Sequence, residues 1–258
     1  MTEFDQASDR RLGTLYGIGV GPGDPELITL KALRHLQAAA VVAFPAGSGN
    51  RPGMAQQAIA QWLSPQQIQL PLRFPYVQDE AELQAAWQQA AAQVWAYLQQ
   101  GKDVVFASEG DISFYSTFSY LAQTLHHCYP QSQIQAVPGI CSPLAAAAAL
   151  GIPLTIQAQN LAVLPALYAP EQLEQVIAWA DVIVLLKMSS VYQQVWSILQ
   201  QHQLLDRSFI VQNATGSNQV IYAGLSQHHD LKLPYFSLLI VQVRQPAVLQ
   251  LQGVSATF

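Results

Sequence analysis

The stretch "YGIGVGPGDPELITLKAL", from Tyr16 to Leu33, decides how the chain begins to fold. The apolar run "TLYGIGV", which overlaps its start, predicts a buried strand, and the residues from Pro25 to about Ala39 have the periodicity of a helix. A turn rich in glycine and proline joins the two. Nucleotide-binding loops have the same order of strand, turn and helix, so the first question is whether this turn holds a phosphate.

The glycine spacing does not fit a phosphate loop. A dinucleotide-binding loop reads G-x-G-x-x-G, and its third glycine lets the helix pack closely on the strand. Counted from Gly17 the third position is Pro22, and counted from Gly19 it is Asp24. A P-loop would need Gly-Lys followed by Ser or Thr, but no lysine follows until Lys31.

Asp24 also argues against an anion. It directly precedes Pro25, which is a favoured first residue of a helix, so Asp24 is predicted to be the N-cap. Its carboxylate would then occupy the place where a phosphate binds a helix N-terminus. An uncharged or cationic ligand is expected instead. The alternative is a tight strand-to-helix turn that binds nothing.

Strand and helix patterns alternate through the first half of the chain. The strands are "VVAF", "QIQLPL", "DVVFAS" and "IQAVPG", with helical patterns between them. This alternation predicts an α/β domain with a mostly parallel sheet and helices on both faces. In the second half, "SFIVQNA", "QVIYAGL" and "YFSLLIVQV" lie close together and predict a mixed sheet. The interruption "GIPLT" divides an N-terminal α/β domain, residues 1–152, from a C-terminal α/β domain, residues 153–258.

Two further loops carry polar residues after buried strands. They are "ASEGDISFYSTF" (Ala107–Phe118) and "AVPGICSPLAAAAALG" (Ala136–Gly151). Open α/β sheets bind ligands at the carboxyl ends of their strands, and an acid there can accept hydrogen bonds from a ribose or an ammonium group. The alternative for the first loop is a capped helix start, with Asp111 or Ser113 as N-cap. Three such loops favour a shared ligand crevice.

Composition and charge exclude several classes of function. The formal net charge is −5, which gives no reason to expect nucleic acid. The polar start "MTEFDQASDRR" has no apolar segment of a secretory signal, and the longest apolar runs are shorter than the ~20 residues that span a bilayer. Neither the two cysteines nor the adjacent histidine pairs have metal-binding spacing. A cytoplasmic protein without a metal, membrane or nucleic-acid partner is expected.

The opening motif and the later "VPGICS", in this order and spacing, resemble the proline-rich loop and the Pro-Gly motif of the S-adenosylmethionine-dependent tetrapyrrole (corrin and porphyrin) methylases. The resemblance extends from about Gly13 to Val243. "EGDISFYSTF" and "LPYFSLLIV" are most similar to the branch that methylates precorrin-2 at C20 in cobalamin biosynthesis. The resemblance implies a cofactor that carries a sulfonium cation and no phosphate. This cofactor would bind in the cleft between two α/β domains, and its product would be S-adenosylhomocysteine.

The resemblance also implies which residues bind the cofactor. In the first half of the chain these are Pro22, Glu109, Gly110, Asp111, Phe114, Ser116, Thr117, Cys141 and Ser142. In the second half, Met188 and Ala214 match positions that enclose the adenine. The family commonly reads Gly-Asp-Pro where this chain has Ile112 after Asp111, which restores a backbone N–H to the loop.

The activity that the resemblance implies needs positioning more than side-chain chemistry. Methyl transfer to an electron-rich tetrapyrrole carbon requires the two reactants to be held in line without water, so no catalytic residue is assigned. Tyr115 and Tyr16 are conceivable bases for the C20 proton, with aromatic packing as the alternative. The candidates for binding substrate carboxylates are Arg51, Arg73 and Lys187, with solvated surface charges as the alternative. A homodimer is expected by analogy with the family and because 51% of the residues are hydrophobic.

Several other functions stay open at this point. Within the family, the chain could methylate another corrin position or uroporphyrinogen III, and its substrate could be metal-free or contain cobalt. A nucleotide-dependent oxidoreductase is disfavoured by the missing third glycine. A non-catalytic ligand sensor on the same scaffold is the remaining alternative.

Overall fold

The computed structural model describes residues 11–47, 52–75, 79–166 and 171–244. These residues form two compact units. The first comprises the chain up to Gly21 together with Pro25–Ile140, and the second comprises Pro22–Asp24 and the chain from Cys141 onward. Each unit contains one five-stranded sheet.

The first unit is built on a parallel sheet. Its strands are β1 (Thr14–Gly19), β2 (Val41–Pro45), β3 (Ile68–Leu72), β4 (Val104–Ser108) and β5 (Gln133–Val137), and its helices are α1 (Leu30–Ala38), α2 (Met54–Ile59), α3 (Glu80–Leu98) and α4 (Phe118–Cys128). The strand order is β3-β2-β4-β1-β5, and every neighbouring pair is parallel. The parallel sheet predicted from the alternating pattern is confirmed.

Both faces of this sheet are covered, as the apolar strand sequences predict. Val104 and Phe106 of β4 pack with buried residues of α3 and α4. Val105 and Ala107 pack on the other face with buried residues of α1 and α2. Successive side chains of a strand point to opposite faces, so a sheet with helices on both sides needs apolar residues at every position.

The connections after β1 and β4 leave toward opposite faces of the sheet. Helix α1 leads from β1 to β2 over one face, while α4 leads from β4 to β5 over the other. In the strand order, the chain passes from β1 toward β2 on one side and from β4 toward β5 on the other side. The direction of winding therefore reverses at the neighbouring strands β1 and β4. Such a switch point opens a crevice at the carboxyl ends of the two strands, where open α/β sheets bind ligands.

The helix after β1 begins later than predicted. A short 3₁₀ turn covers Pro25–Leu27, and α1 begins at Leu30. Thr29 is its N-cap, with an extended backbone and a hydroxyl that accepts the N–H of Ala32 at 3.2 Å. The prediction that Asp24 caps this helix is therefore wrong. The chain returns to an extended conformation after the 3₁₀ turn, so the helix takes its cap from the residue that directly precedes it.

The second unit contains a mixed sheet. Its elements are α5 (Ser142–Leu150), β6 (Leu161–Leu164), α6 (Glu171–Ile177), β7 (Val182–Leu186), α7 (Tyr192–Gln201), β8 (Ser208–Gln212), β9 (Val220–Ala223) and β10 (Ser237–Gln242). The strand order is β6-β7-β10-β8-β9. Only β6 and β7 pair in parallel, and the other three pairs are antiparallel. The predicted mixed sheet is confirmed.

Helix α5 packs against the second sheet. Its residues Ala146 and Ala147 share an apolar cluster with Val184, Val211 and Ile240, while α6 and α7 cover the opposite face. The contacts therefore divide the chain at Cys141 rather than at the predicted residue 153. The interruption that suggested the boundary marks the end of α5, where Gly151 has the left-handed conformation (φ 64°) that commonly ends helices.

Candidate functional site

Glycine backbones bring the carboxyl ends of β1, β4 and β5 together. The N–H of Gly110 donates to the oxygen of Gly21 at 2.8 Å, and the N–H of Gly21 donates back to Gly110 at 3.2 Å. A Cβ atom on Gly139 would lie 2.3 Å from the oxygen of Gly110 and 2.7 Å from the Cα atom of Gly19. Only residues without a side chain allow this approach. The sequence indicated a shared edge, but it did not indicate that Gly139 makes this contact.

Asp111 cross-links two of these loops. Its Oδ2 accepts the N–H of Gly139 at 2.8 Å, and its Oδ1 accepts the N–H of Ser113 at 2.8 Å and the Ser113 hydroxyl. The alternative role as a helix cap is wrong, because α4 begins only at Phe118, where Thr117 is the N-cap residue. The loop after β4 is instead held through Asp111 to the loop after β5.

These hydrogen bonds keep Asp111 ionised. Burial by itself raises the pKa of the carboxyl group, but the Ser113 hydroxyl and the N–H groups of Gly139, Ser113 and Ile112 lower it by more, so the pKa lies below its ordinary value of 3.8. A proline at position 112 would lack one of these N–H groups. The Ile112 side chain is 2% exposed and packs in the apolar cluster of α3 and α4, so it also anchors the loop to the core.

The lowered pKa of Asp111 predicts a pH-dependent contribution to stability. A carboxyl group whose folded pKa is depressed stabilises the fold fully above its unfolded pKa, here 3.8, and loses this contribution as the pH falls through the folded value. We expect Asp111→Asn to be less stable than the wild type near neutral pH, with the difference shrinking below the unfolded pKa. Urea unfolding of both proteins along a pH series measures this. A difference that stays constant down to about pH 2 would contradict it.

The remaining predicted residues of this loop differ in their exposure. Glu109 is half-buried, and its Oε1 accepts the N–H of Ala55 at 3.4 Å. Ser116 is 7% exposed, and its hydroxyl lies 2.9 Å from that of Ser108 and accepts the N–H of Phe118 at 3.2 Å. The hydroxyl of Ser116 is thus engaged inside the protein, whereas the carboxylate of Glu109 lies at the end of the strand.

One residue of the aromatic pair Phe114 and Tyr115 in the same loop has a strained backbone. Tyr115 has a positive φ of 51°, which is unfavourable for a bulky residue, and 51% of it is exposed. The ring of Phe114 packs edge-on against it, with the ring centres 4.7 Å apart. Strained residues of this kind cluster at functional sites. This observation supports a ligand-facing position for the loop.

In the second unit, Gly23 and Asp24 pack against the loop after β8. The N–H of Asp24 donates to the hydroxyl of Thr215 at 3.1 Å. A Cβ atom on Gly23 would lie 2.8 Å from the oxygen of Ala214 and 2.9 Å from the nitrogen of Gly216. Gly23, which directly follows Pro22, therefore lies against the loop that carries Ala214. Thr215 is a contact that the sequence did not indicate.

Met188 and Ala214 lie on opposite faces of the second sheet. The side chain of Met188 is completely buried in the apolar cluster of α6 and α7, with Tyr192 and Val195. Ala214 is 5% exposed and belongs to the cluster of α5, with Ala146. The two side chains therefore do not face each other.

Cys141 and Ser142 lie at the start of α5. Cys141 is the N-cap residue, has an extended backbone and makes no side-chain capping hydrogen bond, and Ser142 is the first residue of the helix. Both are half-buried. They follow directly on the Pro-Gly turn that carries Gly139.

The loops after β1, β4 and β5 are acidic. Residues 20–29, 109–117 and 138–141 include Asp24, Glu26, Glu109 and Asp111, but no lysine or arginine. A phosphate group near Glu109 and Asp111 would meet negative charge, whereas an ammonium or sulfonium group would be attracted. The chemistry of the side chains therefore fits a ligand that carries positive charge.

The predicted cations lie outside these loops. Arg51 lies outside the described residues. Arg73 is exposed after β3 and lines a small surface cleft with Gln89 and Gln93 of α3. Lys187 is exposed after β7, with its Nζ 5.9 Å from the centre of the Tyr235 ring.

Among the described residues, no group of three or more histidine, cysteine, aspartate or glutamate side chains is arranged to hold a metal ion. In the same residues, no helix combines the length and the apolar character needed to cross a membrane.

The chain is similar to known proteins over most of its length. The family model for Tetrapyrrole (Corrin/Porphyrin) Methylases matches residues 14–228. A cobalt-precorrin-2 C(20)-methyltransferase of Salmonella typhimurium is 32% identical over 230 residues, which cover 89% of this chain and 96% of that protein. A precorrin-2 C(20)-methyltransferase of Sinorhizobium sp is 31% identical over 238 residues, which cover 89% of this chain and 95% of that protein.

A solved structure has the same fold. The uroporphyrin-III C-methyl transferase of Thermus thermophilus, determined in complex with S-adenosyl homocysteine, superposes with a TM-score of 0.63. The match covers 89% of this chain and 97% of that chain, at 22% sequence identity. At this identity the likeness concerns the fold, and it agrees with the two sheets described above.

Proposed function

Because the chain belongs to the tetrapyrrole (corrin/porphyrin) methylase family, we propose that it transfers a methyl group from S-adenosylmethionine to C20 of precorrin-2, or of its cobalt-containing counterpart, in cobalamin biosynthesis. One observation carries the choice of position. Two relatives, 32% and 31% identical to this chain, are named as C20 methyltransferases, and the match covers 96% and 95% of their chains.

The site chemistry supports S-adenosylmethionine as the cofactor, with S-adenosylhomocysteine as its product. When bound, S-adenosylmethionine supplies an electrophilic methyl group on a positively charged sulfur. The acidic loops suit that charge, and Asp111 is held as an anion close to the crevice between β1 and β4. The residues proposed to hold the cofactor are Pro22, Glu109, Gly110, Asp111, Phe114, Ser116, Thr117, Cys141, Ser142, Met188 and Ala214.

These residues would act in different ways. Glu109 and Asp111 can accept hydrogen bonds with their carboxylates. Ser116 and Met188 are buried, so we propose that they shape the site with their backbones. The protein's task is to hold the substrate carbon in line with the methyl group and to exclude water. The C20 proton leaves after the new C–C bond has formed, and no side chain is assigned to remove it.

Incubation of the protein with precorrin-2 and methyl-labelled cofactor tests this function. The expected result is one label per substrate molecule, located at C20 by NMR. A label at another carbon, or turnover of uroporphyrinogen III alone, would instead assign another activity of the family. Comparison of precorrin-2 with its cobalt complex under the same conditions identifies the preferred substrate.

Binding measurements separate the family from other classes of protein. We expect S-adenosylhomocysteine to bind in titration calorimetry, whereas NAD and ATP should not. Binding of NAD without binding of S-adenosylhomocysteine would support an oxidoreductase. Binding of S-adenosylhomocysteine without turnover of any tetrapyrrole would support a ligand sensor.

We also propose that the protein works as a homodimer in the cytoplasm, where its water-soluble substrate and cofactor would be available. Large apolar side chains are exposed at separate places, Leu30 (73% exposed) on α1, Tyr120 (59%) on α4 and Trp179 (52%) after α6, and a second copy could cover one of these places. Sedimentation velocity should show twice the mass of the chain at micromolar concentration. A stable monomer would contradict the dimer.

A further inference from the structure

Two aromatic side chains and a lysine lie together in the second unit, where strand β7 ends and strand β10 begins. Strands β7 and β10 are antiparallel neighbours, with Leu186 opposite Leu238. Lys187, which follows β7, therefore lies beside Tyr235 and Phe236, which precede β10. Lys187 is exposed, and Tyr235 and Phe236 are 44% and 42% exposed. These three side chains are called the aromatic–lysine surface below.

The backbone beneath the two aromatic residues is anchored. The oxygen of Phe236 accepts the N–H of Asn213 at 2.8 Å. Ser237 is 4% exposed, and its hydroxyl donates to the oxygen of Pro234 at 2.8 Å. The rings of Tyr235 and Phe236 are perpendicular, with their centres 5.1 Å apart. This turn holds two large apolar rings at the surface, although burial would be more favourable for them.

The loops around this surface are strained. Lys187 and Asn213 have positive φ angles of 51° and 46°, and the β-branched Thr215 has one of 63°. Left-handed backbone is unfavourable for lysine and more so for threonine, and strained residues of this kind are enriched at functional sites. The conformation of Lys187 places its Nζ 5.9 Å from the centre of the Tyr235 ring. A positive charge is thus held beside exposed aromatic rings.

Building on the proposed function, we propose that the aromatic–lysine surface binds the tetrapyrrole substrate. A tetrapyrrole is a broad conjugated ring system whose edge bears carboxylates. The rings of Tyr235 and Phe236 match its apolar face, and the ammonium group of Lys187 matches a carboxylate. The adenine of the cofactor carries no negative charge, so it would use the aromatic rings but not the lysine. Lys187 therefore distinguishes the carboxylate-bearing edge of a tetrapyrrole from the adenine end of the cofactor.

The first unit contains a matched control for this pair. The Nζ atom of Lys102 lies 5.8 Å from the centre of the Tyr97 ring. Lys102 precedes β4, at the amino end of the strand, where open α/β sheets do not bind their ligands. Removing the charge of Lys102 changes the net charge as removal of the Lys187 charge does, and it likewise removes a cation–π contact. It should not change the affinity for the substrate.

Fluorescence titration with uroporphyrin III, a stable tetrapyrrole with carboxylate side chains, measures binding directly. We expect Lys187→Gln, Tyr235→Ala and Phe236→Ala each to raise its Kd about tenfold, and Lys187→Arg to restore most of the affinity. The Kd for S-adenosylhomocysteine should stay within about twofold of the wild type in each variant. Lys102→Gln should change neither constant. Thermal unfolding of each variant checks that it folds.

Several results would overturn this inference. These are unchanged uroporphyrin III affinity in the folded variants, failure of the wild type to bind uroporphyrin III, and an equal loss caused by Lys102→Gln. Weaker binding of S-adenosylhomocysteine alone would assign the surface to the cofactor. If the wild type binds uroporphyrin III but does not methylate precorrin-2, the proposed C20 activity fails, while the titration still decides what the surface binds.

Discussion

Replacing Gly139 with alanine is expected to abolish binding of S-adenosylhomocysteine and to lower the free energy of unfolding by about 3 kcal/mol. The new Cβ atom would lie 2.3 Å from the oxygen of Gly110 and 2.7 Å from the Cα atom of Gly19. Both neighbours are backbone atoms, so no side chain can rotate to make room. The loops after β1, β4 and β5 would have to separate, and the proposed cofactor residues Gly110 and Asp111 would move with them. Urea unfolding and titration calorimetry measure the two effects.

Gly151→Ala is the matched control for this variant. Gly151 has a φ of 64°, and a Cβ atom there would meet nothing within 4 Å. Alanine at this position should cost about 1 kcal/mol of stability through left-handed backbone alone and leave cofactor affinity unchanged. If Gly139→Ala bound S-adenosylhomocysteine like the wild type, the three loops would not form the cofactor site.

Asp111→Ala is expected to weaken binding of S-adenosylhomocysteine by about 1.5–3 kcal/mol, which corresponds to a Kd between about tenfold and about 150-fold higher. The variant removes a negative charge from the site. It also leaves the N–H groups of Gly139 and Ser113 without the carboxylate that they contact at 2.8 Å. Titration calorimetry on the folded variant gives the affinity.

Asp103→Ala separates the loss of affinity from a general loss of stability. The carboxylate of Asp103 likewise accepts a backbone N–H, that of Thr14, at 2.8 Å. Asp103, however, directly precedes β4 and lies at the amino end of the strand, opposite to the end that carries Asp111. This variant should be less stable than the wild type and still bind S-adenosylhomocysteine normally. Equal losses of affinity in both variants would indicate that Asp111 acts on the fold alone.

The helix after β1 shows why local sequence patterns predict that a helix is present more reliably than they predict its first residue. Aspartate before proline is a strong signal for a helix start, and the sequence predicted Asp24 as the cap on that basis. Thr29 is also a favoured capping residue, and a 3₁₀ turn separates the two positions. The periodicity of a helix is a property of many residues, whereas its first residue depends on a few hydrogen bonds. Two residues that are close in sequence can each be suited to form those bonds.

The domain boundary that was predicted after α5 also depended on a local signal. A glycine and a proline after an alanine-rich helix indicated the end of a domain at residue 152. They do end the helix, but Ala146 and Ala147 pack against strands of the second sheet. The periodicity of α5 does not predict which of the two sheets it packs against, because an alanine-rich helix offers similar small apolar surfaces on all sides.

The sequence by itself determined the two α/β sheets, their parallel and mixed character and the three loops at one sheet edge, because these features depend on patterns repeated along short segments. The tertiary structure alone decided how those loops are held. Asp111 bonds to Gly139, Asp24 bonds to Thr215, and Met188 and Ala214 point to opposite faces of one sheet. These contacts join residues far apart in the chain. Hydrogen-bond geometry and close packing select such partners only after the strands have assembled.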